Sequence, residues 1–316
     1  MRAVSKVRRV LAASGYICVR GGQVKVCPLY AHRWRLDAGD LLHPSGHRRR
    51  MSSDLPLRMN PMRAAWLLLC LPHAALAAPW LRTEGIATSA QGQALYREVH
   101  WQRDASDGAE RWVLYQCPDG RPFARKHLPA TSRPQARGYS LDDLRSGQKA
   151  QIEVAGGSVL IDWKEDADAP SRQRRLELPA DAVIDAGFDT AVRQHWPALM
   201  RGERISLPFL VPGRQRYFPV QVRRTGPLRW QGMAAQQIEA SLDTWYGGIA
   251  PRLQLVYADT DRRLLEFQGT SNLRDARGRY PQVVVRFAAA ARASSASEWQ
   301  QAWAQPLVAS CGVTSR

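Results

Sequence analysis

Residues 151–163 carry the pattern that most restricts how this chain can fold. Gln151-Ile152-Glu153-Val154-Ala155 and Ser158-Val159-Leu160-Ile161-Asp162-Trp163 alternate polar and apolar side chains on either side of Gly156-Gly157. A period of two puts the apolar residues of a strand on one face, and two glycines between such runs supply the positive φ of a tight hairpin. A helix cannot use this pattern, because its side chains return to one face every 3.6 residues.

The same period recurs in Ile205, Leu207, Phe209 and Val211; in Phe218, Val220 and Val222; in Ile238, Ala240 and Leu242; and in Leu253, Leu255 and Tyr257. Leu265 and Phe267 repeat it, as do Val283, Val285 and Phe287. Upstream, Leu95, Val99 and Trp101 share a face, which leaves Tyr96, Glu98 and His100 for the face expected to meet solvent. Trp112-Val113-Leu114-Tyr115 is apolar on both faces, as a central strand is. About ten strands joined by short turns follow from this pattern. Pro208 and Pro219 mark edges or bulges, since proline cannot donate to a ladder.

One helix is predicted over about 187–201. Phe188, Val192, His195 and Leu199 fall on one face, Asp185 and Asp189 stand near its start, and Gly202 ends it. Pro197 predicts a kink or a second short segment. A shorter helix is expected from Ser297 through Trp303. The fold class expected is mainly β: a strongly curved antiparallel sheet or open half-barrel with one covering α-helix. Phe188, Val192 and Leu199 should pack on its concave face, with Trp196 at the margin.

Charge divides the chain. The net charge is +17, and residues 1–61 hold twelve Lys/Arg against three acids without any sustained apolar period. Such a segment suits a basic arm for nucleic acid or an anionic membrane, or else an extension read from upstream of the true start. The residues immediately after it favour the second reading. Met62-Arg63 precedes the apolar run 64–71, and Ala75-Leu76-Ala77 is an A-x-A cleavage site. That order is a secretory signal peptide. Leu69, before Cys70, is too large for a lipoprotein cleavage pocket, so no lipid anchor is expected. The expected organisation is therefore 1–61 without a stable fold, 62–77 a signal peptide, 78–288 one β-rich domain and 289–316 a C-terminal tail. The mature chain would be periplasmic, with no transmembrane span because no apolar run reaches about 20 residues. It would retain Cys117 and Cys311, free to pair in an oxidising compartment. A packed, unpaired Cys117 is the reading adopted, because Cys311 follows in a polar tail.

Chemistry-bearing motifs are scarce. No G-x-S-x-G, G-x-x-x-x-G-K-[ST], H-E-x-x-H, C-x-x-C or G-x-G-x-x-G occurs. No catalytic residue, cofactor or metal ligand is assigned. His100, His127 and His195 are far apart, and Cys117 beside Pro118-Asp119-Gly120 reads as part of a hairpin. Asp142-Asp143 and Glu165-Asp166-Ala167-Asp168 read as solvated turns, and Arg172, Arg174 and Arg175 as a linker.

Leu95-Tyr96-Arg97-Glu98, Tyr115-Gln116-Cys117-Pro118-Asp119-Gly120, Phe123-Ala124-Arg125-Lys126, Asp185-Ala186-Gly187-Phe188-Asp189, His195-Trp196, Phe209-Leu210-Val211-Pro212, Arg262-Arg263-Leu264-Leu265 and Ser271-Asn272-Leu273-Arg274-Asp275 together resemble a group of uncharacterised proteobacterial exported proteins. The architecture is similar to periplasmic lipoprotein carriers, whose open barrels hold acyl chains. The resemblance implies a fold and an address and assigns no activity.

The function expected is a non-catalytic envelope protein that binds or carries an apolar, lipid-like ligand. The alternatives are an envelope enzyme or a structural partner in an envelope complex. Candidate ligand contacts are Trp196 and His195 on the helix and Arg214 and Arg216 at a nearby turn, where an acidic head group could meet them. A lipid or an anionic envelope component is the expected partner, and nucleic acid is not. Oligomeric state has no signature in the sequence.

Overall fold

Alternating runs such as these must pair to satisfy their backbone groups, and the pairing decides the shape. The computed structural model describes residues 10–12, 15–20, 23–26, 79–103, 106–242 and 252–312. It divides into two units, 1–72 and 73–316. In the first, β1 (Val10–Ala12), β2 (Gly15–Arg20) and β3 (Gln23–Val26) form an antiparallel meander. These strands lie within the stretch 1–61, for which the sequence predicts no stable fold. The stretch 62–77, expected to be a signal peptide, lies outside the described residues.

The second unit begins with β4 (Trp80–Thr88), β5 (Ala94–Arg103), β6 (Arg111–Gln116) and β7 (Pro122–Leu128). Next come β8 (Tyr139–Asp143), β9 (Gln148–Ala155), β10 (Ser158–Lys164) and β11 (Arg172–Glu177). A short β12 (Val183–Ile184) leads to α1 (Gly187–Gln194) and α2 (Trp196–Met200). The strands resume as β13 (Arg204–Val211), β14 (Arg216–Trp230), β15 (Met233–Leu242), β16 (Arg252–Ala258), β17 (Leu264–Thr270) and β18 (Gln282–Arg286). The unit ends in β19 (Arg292–Ser294) and α3 (Ala296–Ala304).

All of these strands join one sheet. Two meanders meet at its centre, where β18 pairs with β4, and its edges are β11 and β12. Those edges are consecutive in the chain, separated only by residues 178–182. Laid flat, fourteen steps of about 4.8 Å would part them by about 67 Å. An extended link from Glu177 to Val183 reaches about 20 Å. The sheet must therefore curl until its edges approach. It stays unclosed, because among the described residues no ladder joins β11 to β12 or β13. The seam is bridged instead by Arg172 Nη2 donating to the Gly213 carbonyl (3.0 Å) and Gln215 Nε2 donating to the Arg172 carbonyl (3.0 Å). The result is the expected open half-barrel.

Several local features follow the sequence closely. Gly156 and Gly157 both have positive φ, and Ser158 pairs with Ala155 across the turn. Pro208 faces Pro219, and Pro208 costs no ladder bond on its far side, because β12 begins opposite Phe209. The predicted helix is two helices: α1 ends at His195, and Pro197 opens α2. Gly187 is required where α1 starts, since a Cβ there would stand 2.0 Å from the Gln135 carbonyl oxygen.

Phe188, Val192, Trp196 and Leu199 are buried together with Leu207, Val220, Val222, Ile238, Ala240, Leu255 and Tyr257 of β13–β16. Trp196 lies in this core, 6.0 Å edge-on from Tyr257, and not at its margin. The Tyr96, Glu98 and His100 face of β5 also turns inward. Tyr96 is 4% exposed and His100 packs edge-on against Phe287. The opposite face is covered too, because α3 lays Trp299 on Trp112 (4.7 Å) and Trp80 (5.2 Å) above Val99 and Trp101.

The cysteines correct the sequence reading. Cys117 and Cys311 form a disulfide that closes a loop of 194 residues. The tail reaches Cys117 because Arg125 donates to the Trp303 and Gln305 carbonyls and the Val308 N–H to the Pro122 carbonyl. In the chain-entropy picture a loop of this length contributes up to about 5 kcal/mol.

Phe188→Ala is expected to destabilise the second unit by about 3–5 kcal/mol. Denaturant unfolding of the variant against the wild type measures this, and a loss below about 1 kcal/mol would place the helix outside the core.

Candidate functional site

The lumen is not filled everywhere. α1 and α2 cover β13–β16, and where they end a cavity of about 420 Å³ remains at the seam. Its walls come from both sheet edges: Tyr139, Leu141 and Trp163 on β8 and β10, and Phe209, Leu210 and Val211 on β13. This volume lies low in the range of about 300–1,000 Å³ typical of small-molecule sites. It suits a single chain or a compact molecule better than a whole diacyl lipid.

One inward row explains the polar end of the cavity. Trp163, Ala150, Leu141, Lys126 and Val113 stand opposite one another across β10 to β6. Lys126 is the one charge in that apolar row, and an unpaired buried ammonium is untenable. Asp185 answers it from across the lumen, with Lys126 Nζ 2.9 Å from both carboxylate oxygens. Asp185 can do so because its left-handed backbone (φ 47°) turns the chain sharply between β12 and α1. Burial alone would raise the Asp185 pKa. The Lys126 ammonium, the Ala186 N–H and the Asn272 amide outweigh it and hold the carboxyl below its ordinary value of 3.8. Lys126 also stands 5.0 Å above the Tyr139 ring. Burial pushes the Tyr139 hydroxyl well above its usual range, so it stays protonated.

Glu165 is bonded on every side. It accepts from Trp163 Nε1 (2.7 Å), from the Tyr280 hydroxyl (3.1 Å) and from Arg274, and Arg172 stands 3.7 Å away. These bonds fasten the segment 271–281 to β10 along one side of the cavity. Gln148, fully buried, donates to the Asn272 carbonyl on the same segment.

Of the four residues singled out from sequence, Arg214 alone lines this cavity. Arg216 turns over the Phe218 ring (4.4 Å), His195 is the half-buried joint between the helices, and Trp196 is sealed in the core. Glu165 and Asp143 are not solvated turn residues. Asp143 is fully buried, its pKa raised by that burial although Ser146 and the Arg145 N–H bond it. Arg172 belongs to an edge strand and not a linker. Sequence reasoning missed Lys126, Asp185 and Glu165 as a group, because each finds its partner across the lumen. The one local signal was Lys126 between Ala124 and Leu128 on one face of its strand.

Cys117, bonded to Cys311, has no thiol to act as a nucleophile. His100 pairs with Glu98 (3.1 Å), and His127 pairs with Glu110 (3.0 Å) beneath the Trp112 ring. Among the described residues no three His, Cys, Asp or Glu side chains gather as a metal ion needs, and no described helix is long and apolar enough to cross a membrane.

No family model matches the chain, and no curated protein does. Among solved structures, a β-barrel-like protein with a domain of unknown function (DUF1849) from Brucella abortus matches at a TM-score of 0.41 and 7% identity, over 70% of this chain and 97% of that one. A putative outer membrane lipoprotein-sorting protein domain from Vibrio parahaemolyticus matches at a TM-score of 0.26 and 10% identity, over 72% and 92%.

Asp185→Asn should cost about 3–5 kcal/mol, because it leaves Lys126 buried without a counter-charge. The sign of the pH dependence follows from the depressed carboxyl. The pair's contribution is present above the unfolded value of 3.8 and is lost as pH falls through the lower folded value. Denaturant titrations from neutral pH to below 4 should show a steeper acid loss for wild type than for the variant. Parallel curves would mean that the pair does not stabilise the core.

Proposed function

We propose that this is a non-catalytic envelope protein that binds or carries an apolar, lipid-like ligand in the seam cavity. The carrying observation is the contrast inside that cavity. Its walls are apolar side chains of both sheet edges, while its two carboxylates are already bonded to Lys126 and Arg274. Groups held in this way orient a bound molecule or fix the walls, whereas an acid or base catalyst needs a carboxylate free to reach its substrate.

Export into the periplasm is part of the same proposal. The signal-like order of residues 62–77 supports it, and so does the Cys117–Cys311 disulfide, a bond that persists in oxidising compartments. Amino-terminal sequencing of the exported protein should read from Ala78. A terminus upstream of Met62 on that protein would overturn the assignment.

Val211→Trp places an indole at a half-buried cavity wall without disturbing the fully buried core. It should weaken binding of a long-chain alcohol or fatty acid at least about tenfold by calorimetry, with an unchanged circular dichroism spectrum. Absence of saturable binding by the wild type would overturn the ligand-binding reading.

A further inference from the structure

We propose that the seam cavity selects single-chain amphipaths with an anionic head group, and that Arg214 receives the head. This rests on the ligand-binding reading above and assigns the ligand's polar end.

The charges around the apolar space do not all find partners. Two carboxylates line the cavity, and both are engaged by donors of the protein itself. Lys126 and the Asn272 amide take Asp185; Arg274 and the Tyr280 hydroxyl take Glu165. Two guanidiniums also line it, at its outer lip. Arg172 is bonded to the Gly213 carbonyl and shares the already engaged Glu165. Arg214 is exposed on the same lip, and among the described residues no carboxylate stands within ion-pair reach of it. The turn that carries it is fixed, because Gln215 adopts a left-handed conformation and bonds the Arg172 carbonyl. A positive lip therefore borders an apolar chamber large enough for one chain. A planar guanidinium matches a carboxylate or a phosphate through paired N–H donors. Arg216, two residues on, is occupied over Phe218 and does not line the cavity, so it serves as an internal control.

The test compares dodecanoate, dodecyl phosphate and 1-dodecanol by calorimetry on the disulfide-bonded protein, with acetate and inorganic phosphate as head groups without a chain. Wild type should bind the two anions about fivefold more tightly than the alcohol, a factor typical of a solvent-exposed ion pair. The preference should shrink as salt is raised. Arg214→Gln should abolish the preference, while Arg216→Gln should keep it. Dodecanoate favoured over dodecyl phosphate, or the reverse, identifies which head group the lip fits and supports the proposal either way. Equal affinity of wild type for all three chains, or a preference that survives Arg214→Gln, overturns it while sparing the ligand-binding reading. Displacement of dodecanoate by acetate or inorganic phosphate at equal concentration also overturns it, since the site would then bind a free anion. Failure of all three chains to bind removes both readings.

Discussion

Five residues, 178–182, set the shape of the second unit. They join the outermost strand of one meander to the outermost strand of the other, so a sheet that would otherwise lie tens of ångströms wide must roll until its edges meet. Rolling creates an inside, and the interior must then be filled or left hollow. The residues after the crossing, α1 and α2, fold back over β13–β16 and fill one part. The hollow that remains lies beside the seam, lined by the edges that the crossing brought together. Fold and candidate site thus have one cause.

The alternation of apolar residues made the strands, the Gly156-Gly157 hairpin, the helix near 187–201 and the half-barrel class legible from sequence. These features depend on neighbours a few positions apart. What stayed hidden depends on pairing across the lumen. Lys126 and Asp185 are 59 residues apart, and Glu165 and Arg274 are 109 apart. No local pattern links either pair. The two-sided burial of β5 was hidden for a related reason. Its Tyr96, Glu98 and His100 face looks polar in sequence, yet the curl turns it inward while α3 covers the other face. Arg214 could be singled out because an arginine at a turn beside an apolar strand is itself a local signal. Arg216 carried the same signal and was captured by Phe218.

Two cations of the unit, Lys126 and Arg193, each meet their acids within the protein. Lys126 meets Asp185, and Arg193 of α1 meets both Asp189 and Asp107 at 2.6 Å. Those two acids push the Arg193 pKa up although burial opposes it. Pairs of this kind add little net stability over an apolar core, but removing one member is costly. They therefore fix where α1 and the turn before it can sit, and so fix the cavity's polar end.

The disulfide has a consequence in time as well as in stability. Cys311 lies 194 residues after Cys117, so synthesis at about 5–20 residues per second separates the two thiols by roughly 10–40 s. Throughout that interval Cys117 stands on a hairpin that has already emerged, while its partner is not yet made. The bond can close only after β14 to β19 and α3 have followed. An oxidised Cys117–Cys311 pair is thus a chemical record that the last part of the chain has arrived.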